Sequence, residues 1–178
     1  AAHIEVAESN HAPLKYYRNN VGGLISVADA MARHGVEQIV FSSTAAVYGE
    51  PERVPIGEDA PLRPGNPYGA TKLACERLLA DVAATGTLRY TALRYFNAAG
   101  ADPDGEIGEA HDPETHLVPN AVRAVRDPDY TLDLTGGDFP TPDGSAIRDY
   151  VHVSDLARAH VMALDHLRDG GASCSLNV

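Results

Sequence analysis

Tyr68 and Lys72 stand one helical turn apart in the run Tyr68-Gly69-Ala70-Thr71-Lys72, just after Pro67. Leu73, Leu78, Leu79 and Val82 follow at helical intervals, so the two polar groups share one helix face. A free phenol titrates near ~10, and a cation within a few ångströms favours its phenolate. A phenolate formed near neutral pH takes a proton from a sugar or alcohol hydroxyl. The same spacing is common on solvated helix faces, so the pair gains meaning only from its company.

That company sits at the ends of two apolar runs. Gln38-Ile39-Val40-Phe41 reads as a short buried strand ending in Ser42-Ser43-Thr44. Hydroxyls at the carboxyl end of a strand in an open parallel sheet lie where ligands bind, although such residues also form plain turns. Tyr90 to Phe96 reads as the next strand and ends in Arg94-Tyr95-Phe96-Asn97. In a parallel sheet these edges and the Tyr68 helix face one crevice. A hydroxyl, a phenol and a lysine there suit hydride chemistry at a carbinol. The hydroxyl holds the substrate oxygen, the phenol moves its proton, and the lysine lowers the phenol's pKa and holds a cofactor ribose.

The elements that position these groups alternate along the chain. Residues 13–34 are expected to form one helix, opened by Pro13 and closed by Gly35, with Leu14, Tyr17, Val21, Leu24, Ile25, Ala28 and Met31 inward. Asn19 and Asn20 interrupt it as poor helix formers, which suits either exposure or a side chain reaching into a site. The residues before it read like the tail of a strand. Residues 49–67 carry five prolines and form a loop that delivers Tyr68. Asn97 to Thr115 reads as a long functional loop, 116–126 as a short helix, Thr131 to Leu134 as a strand and 136–147 as a second loop. Ser154 or Asp155 is expected to cap a helix through Leu167 with Ala157, Val161 and Leu164 on its buried face, and Cys174 to Val178 to form a last strand. Apolar strands alternating with helices predict α/β architecture with a doubly wound parallel sheet.

Composition narrows the function. The 178 residues are 44% hydrophobic and 22% charged, as in an ordered globular protein. A net charge of -11 without any Lys/Arg cluster argues against nucleic acid. Lysine occurs only at positions 15 and 72, so one of the two stands at the chemically pointed site. Apolar runs are far short of a membrane span, and the first residues do not read as a signal peptide. Cys75 and Cys174 lack framework spacing, Cys75 reads as packing, and a reducing cytoplasm is the expected setting. No glycine-rich phosphate-binding turn is found, since the pairs 22–23, 136–137 and 170–171 lack the spacing and the flanking strand.

The whole chain resembles the extended short-chain dehydrogenase/reductase family. The resemblance rests on residues 13–21 (Pro13 to Val21), Phe41 to Gly49, Asn66 to Lys72, Leu93 to Ala101, His116-Leu117-Val118-Pro119 and the run from Asp138 to His152. The Tyr/Lys motif marks only the superfamily. The turn Phe139-Pro140-Thr141-Pro142-Asp143-Gly144 leading to Arg148-Asp149-Tyr150-Val151-His152 is similar to the branch that epimerises nucleotide sugars at C4.

The resemblance implies a Rossmann-like fold and NAD as cofactor. Residues 1–97 would be the second half of the NAD-binding domain, and 98–178 substrate-binding segments interleaved with returning Rossmann elements. It implies Tyr68 as catalytic base and acid, Lys72 as its electrostatic partner and ribose ligand, and Thr44 as the hydroxyl on the reacting sugar oxygen. Asn19, Thr44, Tyr68, Lys72, Tyr95 and Phe96 would contact NAD. Thr44, Tyr68, Asn97, His116, Leu117 and Arg148 would hold the UDP-sugar, Arg148 as a cation for the diphosphate. The implied reaction is interconversion of UDP-glucose and UDP-galactose through a 4-keto sugar, in a cytoplasmic homodimer. The glycine turn and the acidic residue for the adenosine ribose would precede Ala1, so the chain is expected to be an internal fragment, inactive alone. Ile4 stands where the family often has lysine, and Thr135, in the uracil-facing stretch Asp133-Leu134-Thr135, where it often has an aromatic.

Rival chemistries are weighed on the same residues. A 4,6-dehydratase carries Asp and Glu after the hydroxyl residue, and a UDP-glucuronate decarboxylase carries Glu at the second place. Ala45 and Ala46 stand here and do neither job. A non-catalytic nucleotide-sugar or cofactor sensor predicts decay of the Tyr/Lys pair, which is intact. The spacing of His111, Asp112, Glu114 and His116 matches no known metal site, so no metal is expected.

Overall fold

The computed structural model describes residues 2–133 and 136–178. Helices α1 (Val6–His11) and α2 (Pro13–Tyr16) lead through a π-helical turn (Tyr17–Val21) into α3 (Gly22–His34). Strand β1 (Gln38–Ser42) is followed by a 3₁₀ turn (Ala45–Val47), helix α4 (Pro67–Ala84) and strand β2 (Arg89–Arg94). Then come β3 (Asn97–Ala99), α5 (Leu117–Arg126), β4 (Tyr150–His152), α6 (Val153–Arg168) and β5 (Cys174–Asn177).

The chain divides into two compact units, one of residues 1–96 with 158–178 and one of residues 97–157. The first holds a parallel sheet in the order β1-β2-β5, as the alternation of helices and apolar strands predicts. Its register sets Ser42 beside Leu93 and Arg94 beside Asn177, so the carboxyl ends of all three strands are level. The main core forms where Leu24 of α3, Cys75 and Leu79 of α4 and Leu88 meet Ile39 and Phe41 of β1. A second cluster joins Ala45, Val47 and Tyr48 to Leu73. The other unit carries a short parallel pair, β3 with β4, and helix α5.

Several boundaries differ from the sequence expectation. Residues 2–5 have no regular structure, and α1 follows where a strand's tail is expected. The helix over 13–34 is broken by its π turn. The extra residue in that turn puts Tyr16, Asn20 and Leu24 on the buried side and leaves Leu14, Tyr17 and Ile25 exposed at 64%, 42% and 46%. The 97–115 stretch opens with β3, whose partner lies some fifty residues on and is invisible to local pattern. Residues 131–133 form no strand, and Leu134 and Thr135, including that part of the uracil-facing stretch, lie outside the described residues. On α6 the buried residues are Leu156, Ala163 and Leu167, while Val161 and Ala157 are exposed. That side is set by His160, whose Nε2 lies 2.8 Å from Ser42 Oγ at the end of β1.

Candidate active site

The level carboxyl ends of β1 and β2 hold the first hydroxyl in place. Ser43 N–H donates to Leu93 O at 2.8 Å and Ala45 N–H to Tyr95 O at 2.9 Å, so the chain beyond β1 stays stitched to the chain beyond β2. Between those bonds, buried Thr44 caps the 3₁₀ turn by accepting from Ala46 N–H at 3.2 Å.

Helix α4 brings the phenol and the ammonium. Asn66 caps it by accepting from Gly69 N–H at 2.8 Å, and Pro67 fills the first position, where a missing N–H costs nothing. Gly69 is required by close approach, because a Cβ there would lie 2.6 Å from Ala46 O. Tyr68 N–H donates to Ser9 Oγ at 3.2 Å, and Ser9 is itself fully buried.

The phenol of Tyr68 meets the Thr44 side chain and lies near Tyr95. Burial pushes it above its ordinary value of 10.0; the Thr44 hydrogen bond pulls it back, and Tyr95 adds to the rise. This corrects the expectation that Lys72 depresses the phenol. Lys72 Nζ donates instead to Ser42 O at 2.8 Å, 4.9 Å from the Phe41 ring centre and 6.0 Å from that of Tyr68. Lys72 is 6% exposed and forms no ion pair among the described residues; burial drives its ammonium below the ordinary 10.5, and Cys75 opposes this. A buried cation with one carbonyl partner has donors left for hydroxyls, which fits a ribose and so fits NAD. Cys75 is packing, its thiol pushed up to about 11 by burial.

Beneath these groups lies a polar network that local pattern reading misses. Glu76 accepts from Arg94 Nε at 3.0 Å and Nη2 at 2.5 Å, and from the Ser43 hydroxyl in a shorter bond. Arg94 Nη1 donates to Tyr48 Oη at 2.8 Å, and Tyr48 donates to Asn177 Oδ1 at 2.7 Å. One sign of it was present, since Glu76 continues the line of Tyr68 and Lys72 at intervals of four. Of the two asparagines in the π turn, Asn20 is the one that reaches inward: it accepts from His3 N–H at 2.9 Å and donates through Nδ2 to His3 O at 3.1 Å and to Thr71 Oγ1 of α4 at 3.2 Å.

The remaining sequence candidates fall as follows. Asn19 is exposed and donates to Asn20 Oδ1 at 2.9 Å. Tyr95 is half-buried and packs edge-on to His160 at 6.5 Å, and Phe96 is exposed. In the other unit Asn97 donates through Nδ2 to Asp149 O at 2.9 Å, one residue beyond Arg148, so those two candidates are neighbours. Arg148 is exposed, 6.0 Å from the Phe139 ring centre. His116 and Leu117 stand at the start of α5.

The family model described as the NAD dependent epimerase/dehydratase family matches residues 1–178. A UDP-glucose 4-epimerase of Lacticaseibacillus casei is 52% identical over all of this chain and 54% of its own length. The crystal structure of UDP-glucose 4-epimerase from Brucella ovis in complex with NAD is 54% identical, with a TM-score of 0.95 over 100% of this chain and 55% of that one. The UDP-glucose 4-epimerase from Bifidobacterium longum in complex with NAD+ and UDP is 38% identical, with a TM-score of 0.92 over 100% of this chain and 54% of that one. The chain thus spans about half the length of the relatives it matches. Matched along its full length, and with its strand ends, phenol and lysine set as described, the chain belongs to the NAD dependent epimerase/dehydratase family.

Proposed function

We propose that this protein interconverts UDP-glucose and UDP-galactose by NAD-dependent epimerisation at C4, as a cytoplasmic homodimer. The carrying observation is Thr44 meeting Tyr68 at the level strand ends, with the buried Lys72 ammonium one turn away. Lys72 and Tyr68 would hold the cofactor ribose, with Asn19, Tyr95 and Phe96 along the same site; bound there, the nicotinamide supplies reversible oxidation of the sugar carbon. Thr44 orients the sugar's reacting oxygen. Tyr68 holds and moves the proton at Oη, taking it as the 4-keto sugar forms and returning it afterwards. Burial keeps that phenol protonated at rest, so turnover rises as pH approaches its elevated pKa. Asn97, His116, Leu117 and Arg148 would hold the UDP-sugar, the Arg148 guanidinium against the diphosphate. Ala45 and Ala46 beside Thr44 carry neither acid nor base, which favours epimerisation over loss of water.

Replacing Tyr68 by Phe in the full-length protein tests the reading. Interconversion should fall roughly 10²–10⁴-fold while NAD binding, followed by calorimetry, persists. Near wild-type turnover in that variant would remove Tyr68 from the chemistry.

A further inference from the structure

Beside the residues read as holding the UDP-sugar, and sharing His116 with them, one loop turns four side chains of metal-ligating type onto a single point. Glu109, His111, Glu114 and His116 each present a ligand atom, and the four atoms lie within 4.8 Å of one another. His111 Nδ1 and His116 Nδ1 each stand 2.8 Å from the same oxygen, Glu109 Oε1. His116 Nδ1 is also 2.8 Å from Glu114 Oε1, and the other oxygen of Glu114 is 4.0 Å from His111 Nδ1. One imidazole nitrogen offers one proton or one lone pair, so His116 serves two carboxylates at once only through a shared, three-centre bond. A cation at that point would engage all four groups with one bond each. Ligand atoms of a tetrahedral ion with bonds of about 2.0–2.1 Å lie about 3.4 Å apart, which small rotations of these four side chains reach.

The surroundings fix these groups as a metal site's outer partners would. Glu114 Oε1 accepts from His116 N–H at 2.8 Å, and Glu114 O accepts from Asn120 Nδ2 at 3.2 Å. Asn120 in turn accepts from Tyr130 Oη at 2.9 Å. Two ligands are thereby tied to the first turn of α5, while His111, 48% exposed, leaves the point open to solvent. Local spacing argues against a metal because it pairs the histidines with Asp112; the fold supplies Glu109 instead. Two imidazoles with two carboxylates select a borderline transition ion over the all-oxygen sites of Ca²⁺ and Mg²⁺. We propose that Glu109, His111, Glu114 and His116 bind one Zn²⁺ that fastens the 109–116 loop to the start of α5.

The test is a Zn²⁺ titration of the EDTA-stripped protein against a chromophoric chelator. One equivalent should bind per chain, and Glu109→Gln and His111→Ala should each weaken it about 10-fold or more. These positions are chosen because His116 also figures in the reading of the UDP-sugar site. In the unmodified protein, ring resonances of two of the eight histidines, His111 and His116, should move with the first equivalent. Absence of binding, unchanged affinity in both folded variants, or movement of other histidines instead would each overturn the proposal.

Discussion

The two units of the chain are held together by different means. In the unit of residues 1–96 and 158–178 lie all the buried polar side chains among the described residues, each of Asn20, Ser43, Lys72, Glu76 and Arg94 tied to a distant part of the sequence. In the unit of residues 97–157 Leu156 alone is buried among the described residues, while Ile107, Val125 and Ile147 are 75%, 89% and 82% exposed. Its side-chain bonds mostly close local turns, as where Asp143 accepts from Ser145 N–H at 3.0 Å. The groups proposed to move a proton thus stand where long-range bonds over-determine position. Groups read as grasping a nucleotide sugar stand on a surface organised by its own turns.

The sharpest way to break this contrast is Glu76→Gln, which strands the Arg94 guanidinium in the interior. It should cost about 3–5 kcal/mol of unfolding free energy by denaturant titration. A loss near zero would mean that the network is ornamental and the two units are alike. Lys72→Met sharpens the contrast in the opposite sense. Because burial lowers the folded-state pKa of Lys72, the fold carries a cost at neutral pH that fades as pH rises through that lowered value towards 10.5, where the unfolded ammonium also deprotonates. The Met variant should therefore melt higher than wild type at pH 7, with the gap closing at alkaline pH, and turn over poorly. A lower melting temperature at pH 7 would show that the bond to Ser42 O outweighs the buried charge. The smallest effect is expected at Val125→Ala on α5, within about 0.5 kcal/mol of wild type. A clear loss there would reveal a packing partner for that face.

What the sequence made legible follows the range of the interactions. Strand ends, the Tyr68 helix after Pro67, and the parallel alternation are local or periodic features, and β1, α4, β2 and β5 fall close to where the pattern puts them. The π turn is not legible, because one extra residue leaves composition unchanged while deciding that Asn20, and not Asn19, faces inward. Glu76 and Arg94, eighteen residues apart, look like surface charges until the helix and strand are laid side by side. For Lys72, spacing and resemblance fix which face the side chain shares and not which acceptor its flexible stem reaches, here Ser42 O. Glu109 comes beside His111 and His116 for the related reason that a loop's convergent groups have no period.

Gly69 gives the proposed catalytic geometry a mechanical stop. Backbone meets backbone where α4 crosses the 3₁₀ turn, with Ala46 O standing 2.6 Å from where a Cβ would be. Thr44 caps that turn and Tyr68 precedes that glycine, so contact between main chains joins the bonds from Ser9 and Asn66 in gauging their spacing. A single added methyl at the stop would act as a shim, opening the hydroxyl and the phenol together.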